Sequence, residues 1–283
     1  MLQIANDHLR VDLLDPVVDR ERLGHRYCAG GYIWQVHDPR SGPLLAGPEW
    51  PKPAPGAFNG QGLPESFRHR RRSGEPLTWS GNRGVALGAG ELALLVDSSV
   101  SLAQPCEWQV ALAPAHAVFS TRQQAVGIHY RLERTVQLVA RTLLSTTRVT
   151  NHGTSAFPVE WFAHPFFALT AGQISAEVPA GSVLVKNPAF ALASRTLTQL
   201  RVFRDEKDGH LDTLRLPADQ PLVVRLNHPK LSGIDFRTSF APSECLIWGN
   251  SNTFSIEPYH AFELGPGAAR EWSVGYDFGV PLT

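Results

Sequence analysis

Cysteine is scarce in this chain of 283 residues. Cys28, Cys106 and Cys245 stand far apart with no CxxC spacing, so neither a disulfide framework nor a structural zinc site is indicated, and reduced thiols are expected. Net charge is lacking too. Lys plus Arg and Asp plus Glu number 26 each, which removes the global field that would draw the protein to nucleic acid or an anionic membrane, and a small neutral ligand fits that balance. No apolar run reaches the roughly 18 residues of a membrane helix. The opening MLQIANDHLRVDLLDP has neither a basic n-region nor an apolar h-region, so a cytoplasmic protein is expected. Missing as well are an internal repeat, GxGxxG, P-loop and GxSxG motifs, which leaves nucleotide chemistry unsupported. Segments of about ten residues with a helical apolar stripe are also absent.

What the chain does have is strand-like segments from end to end. YIWQV near 32, ELALLVD near 91, CEWQVALA near 106, IHYRLERTVQLV near 128, TLLSTTRVTN near 142, PLVVRLN near 221, ECLIWGN near 244 and REWSVGYDF near 270 all read as strands, with 24 Gly and 22 Pro as punctuation between them. In IHYRLERTVQLV, Ile128, Tyr130, Leu132, Val136 and Leu138 share one face, and His129, Arg131, Glu133, Thr135 and Gln137 share the other. An all-β sandwich of mainly antiparallel strands follows, and the length suits a single domain over 1–283. The longest irregular segment runs from Gly47 to Pro76 and is expected to lie over the mouth of a ligand cleft, since long loops on rigid scaffolds tend to carry function. Within it His69, Arg70, Arg71 and Arg72 form a basic run. No aromatic platform is interleaved with them, so the run reads as solvated surface, with phosphate recognition as the alternative.

The stretch NHGTSAFPVEWFAHPFFAL, residues 151 to 169, is an apolar aromatic strand that nevertheless carries His164 between Phe162 and Phe166. Taken alone, such a histidine is most often a hydrogen-bonded core residue. Its company points elsewhere. RYCAGGYIWQV at 26–36, RVTNHGTSAFPVEWFAHPFFAL at 148–169, FSIEPYHAF at 254–262 and FELGPGAAREWSVGYDF at 262–278 follow one another in an order that resembles the galactose mutarotase-like, or aldose 1-epimerase, superfamily. The second motif is the most specific: Asn151 ends one strand, a short turn follows, and an apolar strand then delivers His164, Phe166, Phe167 and Leu169.

The resemblance implies a β-supersandwich whose concave face binds a small-molecule carbohydrate, with one His and one Glu flanking the anomeric centre. By the same matching these are His164 and Glu257, the latter held extended by Pro258. Interconverting anomers of an aldose requires removing the proton of the C1 hydroxyl while protonating the ring oxygen, so a base and an acid must act together. Glu257 is expected as the base, with its pKa lifted toward neutrality by burial, and His164 as the imidazolium acid, separated by about the width of a pyranose ring. No metal or organic cofactor is implied. Arg26, ahead of the Gly30-Gly31 pair, and Trp161 and Trp248 are the candidate sugar contacts. The chain departs from the family pattern in two places: the early HG histidine is missing, His69 in RHRRR being no match, and Asp205, Asp208 and Asp212 offer no clear counterpart to the mid-chain aspartate. The other reading the sequence allows is a non-catalytic carbohydrate-binding protein on the same fold.

Overall fold

A computed structural model describes residues 1–53, 55–56 and 58–282. Every segment that reads as a strand is one, and among the described residues the only helical piece is a 3-10 turn at Arg20–Arg22. The strand Ile128–Val139 pairs along its length with His116–Ala125 on one side and with Thr142–Asn151 on the other, the latter in register from Tyr130↔Asn151 to Val139↔Thr142. The link into the first of them, Val126-Gly127, is a two-residue hairpin in which both residues have positive φ, the geometry that matches the twist of the flanking strands.

These strands belong to a ten-stranded antiparallel sheet that also holds Ala269–Phe278 and Ile234–Thr238 at its centre. A second sheet, of seven strands, contains His210–Arg215, Glu244–Gly249, Thr253–Leu264, Phe157–Ala163 and, at its edge, Glu65–Phe67. Two smaller four-stranded sheets are built from the strands up to Gly42–Pro43 and from those between Trp79 and Pro105. Aromatic rings bridge the two large sheets: Trp161 meets Trp272 at 5.5 Å between centroids, Phe67 meets Trp272 at 6.1 Å, and Phe167 meets Phe236 at 6.0 Å. This is the sandwich expected, with a core continuous from Ile4 to Phe278. The glycine pair of the first motif has a packing cause. A Cβ on Gly30 would run into the Trp108 ring, and the Gly30 carbonyl accepts a hydrogen bond from Arg134 Nη1 at 3.0 Å.

Two features were not expected from the sequence. The segment from Gly47 to Pro76, in which Ala54 and Ala57 lie outside the described residues, is not wholly irregular, because its Glu65–Phe67 piece pairs with Phe157–Ala163. And Arg134, which shares the apolar face of its strand, is fully buried and ion-paired to Glu65. Glu65 also accepts from Ser145 Oγ at 2.7 Å, Trp161 Nε1 at 3.1 Å and Thr147 Oγ1 at 3.3 Å. One buried carboxylate thus ties the edge of the seven-stranded sheet to the ten-stranded sheet.

Removing one member of such a pair leaves a buried charge without its partner, which typically costs about 3–5 kcal/mol. Glu65→Leu is expected to destabilise the protein on that scale in urea unfolding, and the double change Glu65→Leu/Arg134→Met is expected to cost less than the single one. A double variant at least as unstable as the Glu65→Leu protein would contradict the pairing described.

Candidate active site

The period of two along the strands sorts the side chains of the seven-stranded sheet. In Thr253–Leu264, Ser255, Glu257 and Tyr259 point away from the sandwich interior, while Phe254, Ile256 and His260 point into or along it. The cross-strand register pairs Tyr259 with Phe162, Glu257 with Leu246 and Ser255 with Trp248 on the outward face. His164, two positions past Phe162 and just beyond the strand end, continues that face, its backbone N–H donating to the Pro64 carbonyl at 2.9 Å. Phe162, His164, Leu246, Trp248, Glu257 and Tyr259 floor a cavity of about 710 Å³.

The structure brings His164 and Glu257 together. His164 Nε2 lies 3.5 Å from Glu257 Oε1, and both residues are almost fully enclosed, at 5% and 4% exposure. This is closer than a pyranose width, so a sugar cannot lie between them. The pair instead presents both groups to the cavity from one side, and the C1 hydroxyl and ring oxygen of an aldose, being bonded to the same carbon, are within reach of such an arrangement. The imidazole is held by Nδ1, 3.0 Å from Ser255 Oγ, and by the Phe166 ring at 4.5 Å. Stacked Phe162 and Tyr259, 4.7 Å apart, make an apolar floor beside it.

That enclosure sets the protonation of the pair. Burial pushes the Glu257 carboxyl up to about 7, opposed by the positive field of Arg26, Arg68 and Arg72. Burial also pushes His164 well below its ordinary value, and Arg26 adds to the fall. The two sit at ion-pair distance, yet desolvation works against both charges. Below about pH 7 the proton therefore rests on Glu257 and the imidazole is neutral. The lifted carboxyl matches expectation; the resting imidazolium does not.

Of the other residues singled out, Arg26 and Trp248 line the cavity and Trp161 does not. Arg26 donates to the Phe58 carbonyl at 2.8 Å and lies over the Phe58 ring at 4.4 Å. Trp248 stands 6.2 Å from the His164 ring. Trp161 is fully buried on the opposite face, because three positions along a strand reverse the side-chain direction, and its indole N–H is taken by Glu65. Asn151 is a turn staple: its side-chain amide donates to the carbonyls of Ser155 and Leu264, each at 2.9 Å. The basic run, expected as solvated surface, forms part of the cavity wall, as do Phe58, Asn59 and Ser66 from the same long segment.

No protein-family model matches the chain, and no curated protein matches it by sequence. Solved structures do share its architecture. A galactose mutarotase related enzyme from Lactobacillus acidophilus aligns over 98% of this chain and 96% of its own, with a TM-score of 0.63 at 14% identity. A galactose mutarotase-like protein from Lactobacillus casei aligns over 98% and 99%, with 0.63 at 15% identity. A galactose 1-epimerase from Lactobacillus acidophilus aligns over 98% and 93%, with 0.61 at 12% identity. At these identities the likeness is one of fold, and the fold is the galactose mutarotase-like sandwich.

A carboxyl whose folded pKa is raised contributes most to stability below its unfolded value near 4.5 and loses that contribution as pH rises through about 7. The loss above pH 7 is on the order of 3 kcal/mol. Glu257→Gln removes it. In urea unfolding, the stability of the Gln variant relative to wild type is expected to climb between pH 4.5 and pH 8.5; parallel curves over that interval would mean that Glu257 ionises freely.

Proposed function

We propose that this protein is an aldose 1-epimerase-like enzyme that interconverts the anomers of a sugar or sugar derivative by acid-base ring opening. The observation that carries the reading is the buried His164–Glu257 pair, 3.5 Å apart on the floor of a cavity large enough for a monosaccharide. The likeness of fold to a galactose 1-epimerase supports it.

The pair needs one proton to work. One member accepts the proton of the C1 hydroxyl, the oxygen's electron pair forms the C1 carbonyl, the bond from C1 to the ring oxygen breaks, and the other member protonates that oxygen. Rotation about the bond from C1 to C2 exposes the other carbonyl face, and the same transfers in reverse close the ring. In the resting distribution Glu257 is the donor and His164 the acceptor; moving the proton to His164 gives the ion-pair form with the roles exchanged. Both forms hold the same number of protons and both are competent, so pH governs the pair rather than either group. Ser255 fixes the imidazole ring, and the aromatic floor keeps water from the transferring protons.

Because the one-proton form is the active one, the rate on free enzyme is expected to fall as pH rises above about 7, where Glu257 loses its proton, and to fall on the acid side only well below 6.5, where His164 gains a second. Glu257→Gln and His164→Asn are each expected to lower kcat by about 100-fold or more, with sugar affinity kept within about tenfold. Exchange between anomers followed by NMR over a panel of aldoses measures this. Unchanged rates in either variant, on a sugar that wild type clearly accelerates, would remove these residues from the mechanism; binding of sugars without any acceleration would leave a carbohydrate-binding protein.

A further inference from the structure

The protein as a whole is neutral, but its cavity is not. Arg26, Arg68, Arg70, Arg71 and Arg72 all line it, against two carboxylates, Glu206 and Glu257. Glu206 is paired to Lys52 at 3.0 Å, and Glu257 is deep on the floor beside His164. The lining therefore carries an excess of guanidiniums where the overall composition is balanced.

Three of the five guanidiniums are compensated within the protein. Arg68 lies 3.3 Å from Glu160, Arg71 3.3 Å from Glu75 and 3.8 Å from Glu160, and Arg72 2.5 Å from Glu244. Among the described residues no carboxylate lies within ion-pair distance of Arg26 or Arg70. Each instead lies over an aromatic ring, Arg26 over Phe58 and Arg70 over Trp79 at 4.6 Å, with one N–H given to a backbone carbonyl. A ring contact and one hydrogen bond hold the guanidinium in place and leave its other N–H groups free to donate.

The arginine wall is also built rather than floppy. Arg68 N–H donates to the Glu160 carbonyl at 2.8 Å, anchoring the segment to the strand that delivers His164, and the Arg71 N–H donates to the Glu75 carbonyl at 2.8 Å to close the turn. Trp79 Nε1 donates to His69 Nδ1 at 3.1 Å, which holds the ring beneath Arg70. Burial, His25 and the neighbouring guanidiniums of Arg70 and Arg68 depress His69 to about 4, so it adds no charge near neutral pH.

A neutral sugar would leave two half-buried guanidiniums without a counter-charge. The cavity, at about 710 Å³, has room for more than one pyranose ring. We infer that the substrate is an anionic aldose, a monosaccharide carrying a phosphate, sulfonate or carboxylate group remote from C1, with its anomeric carbon at His164 and Glu257 and its anion received by Arg70 and Arg26. This rests on the epimerase reading for the placement of C1. It replaces the neutral ligand that the overall charge balance suggests.

The test uses matched neutral and anionic sugars in the gluco, galacto and manno series: the free hexose, its 6-phosphate, its 6-sulfonate and its uronic acid. Binding to the wild-type protein is measured by calorimetry at about 20 mM and about 300 mM salt, and anomer exchange by NMR on the same samples. In at least one series an anionic member is expected to bind 30-fold or more tighter than the free hexose at low salt, with the advantage shrinking several-fold at high salt. Which anion gains most separates phosphate from sulfonate and carboxylate. Arg70→Gln is expected to lower affinity for that member at least tenfold more than affinity for the hexose; the wild-type panel and its salt dependence stand without the variant. Equal affinity for neutral and anionic members in every series, no binding of any member, or a preference indifferent to both salt and Arg70→Gln, would overturn the inference. Binding is read without turnover. Selective binding of anionic sugars without anomer exchange removes the epimerase reading and leaves the anion site, while equal binding and exchange of neutral and anionic aldoses does the reverse.

Discussion

The buried contact between Arg134 and Glu65 fixes where everything else can sit. Glu65 opens a strand of only three residues at the edge of the seven-stranded sheet, and a piece that short has little pairing energy of its own. Its carboxylate compensates by gathering Arg134, Ser145, Thr147 and Trp161, donors that come from both large sheets. With Glu65 pinned in register against Ala163, the preceding Pro64 carbonyl holds the backbone N–H of His164. The following residues, Ser66 to Arg72, are launched along the cavity wall. One core ion pair therefore positions both the imidazole and the arginine segment without touching either.

Above that anchor, desolvation does the chemical tuning. In water a carboxyl is charged at neutral pH and an imidazole gains its charge below about 6.5; enclosed together on an aromatic floor, each is driven toward its neutral form. The result is a pair that shares a single proton over a range around and below neutrality, which suits a reaction in which one proton must leave one oxygen as another reaches its neighbour. The arginines moderate the effect: Arg26, Arg68 and Arg72 hold Glu257 lower than burial alone would. A bound anion would offset that field, and substrate charge and active-site protonation are thereby coupled through the same cavity wall.

Much of this was legible in the sequence. Alternation marked the long strands, and the motif order located His164 and Glu257, because both lie on regular strands or at their ends, where local pattern is strong. The same alternation carried through places Trp161 away from the cavity: three positions from His164 it must face the other way. Arg134 falls on the even positions with Leu132 and Val136, so its burial was signalled, but its partner was not. Glu65 sits in a stretch rich in Gly, Pro and Arg with no alternation to read, and its pairing with Phe157–Ala163 is a long-range contact. The arginine run reads as surface, and Arg71 and Arg72 are indeed exposed; that it also borders the cavity goes unsignalled for the same reason. Whether a charged turn faces solvent or a cavity depends on which strand precedes it, and that strand is held by tertiary contacts alone.

The central claim is that the anomeric carbon of a bound aldose lies against His164 and Glu257. A crystal structure of the Glu257→Gln protein with the most tightly binding aldose of the panel tests it directly. The account predicts the C1 hydroxyl and the ring oxygen on the cavity floor, each within hydrogen-bond reach of residue 257 or of His164 Nε2, with the remote end of the sugar toward Arg70. A sugar bound with C1 at the cavity mouth, or seated elsewhere on the molecule, would contradict it.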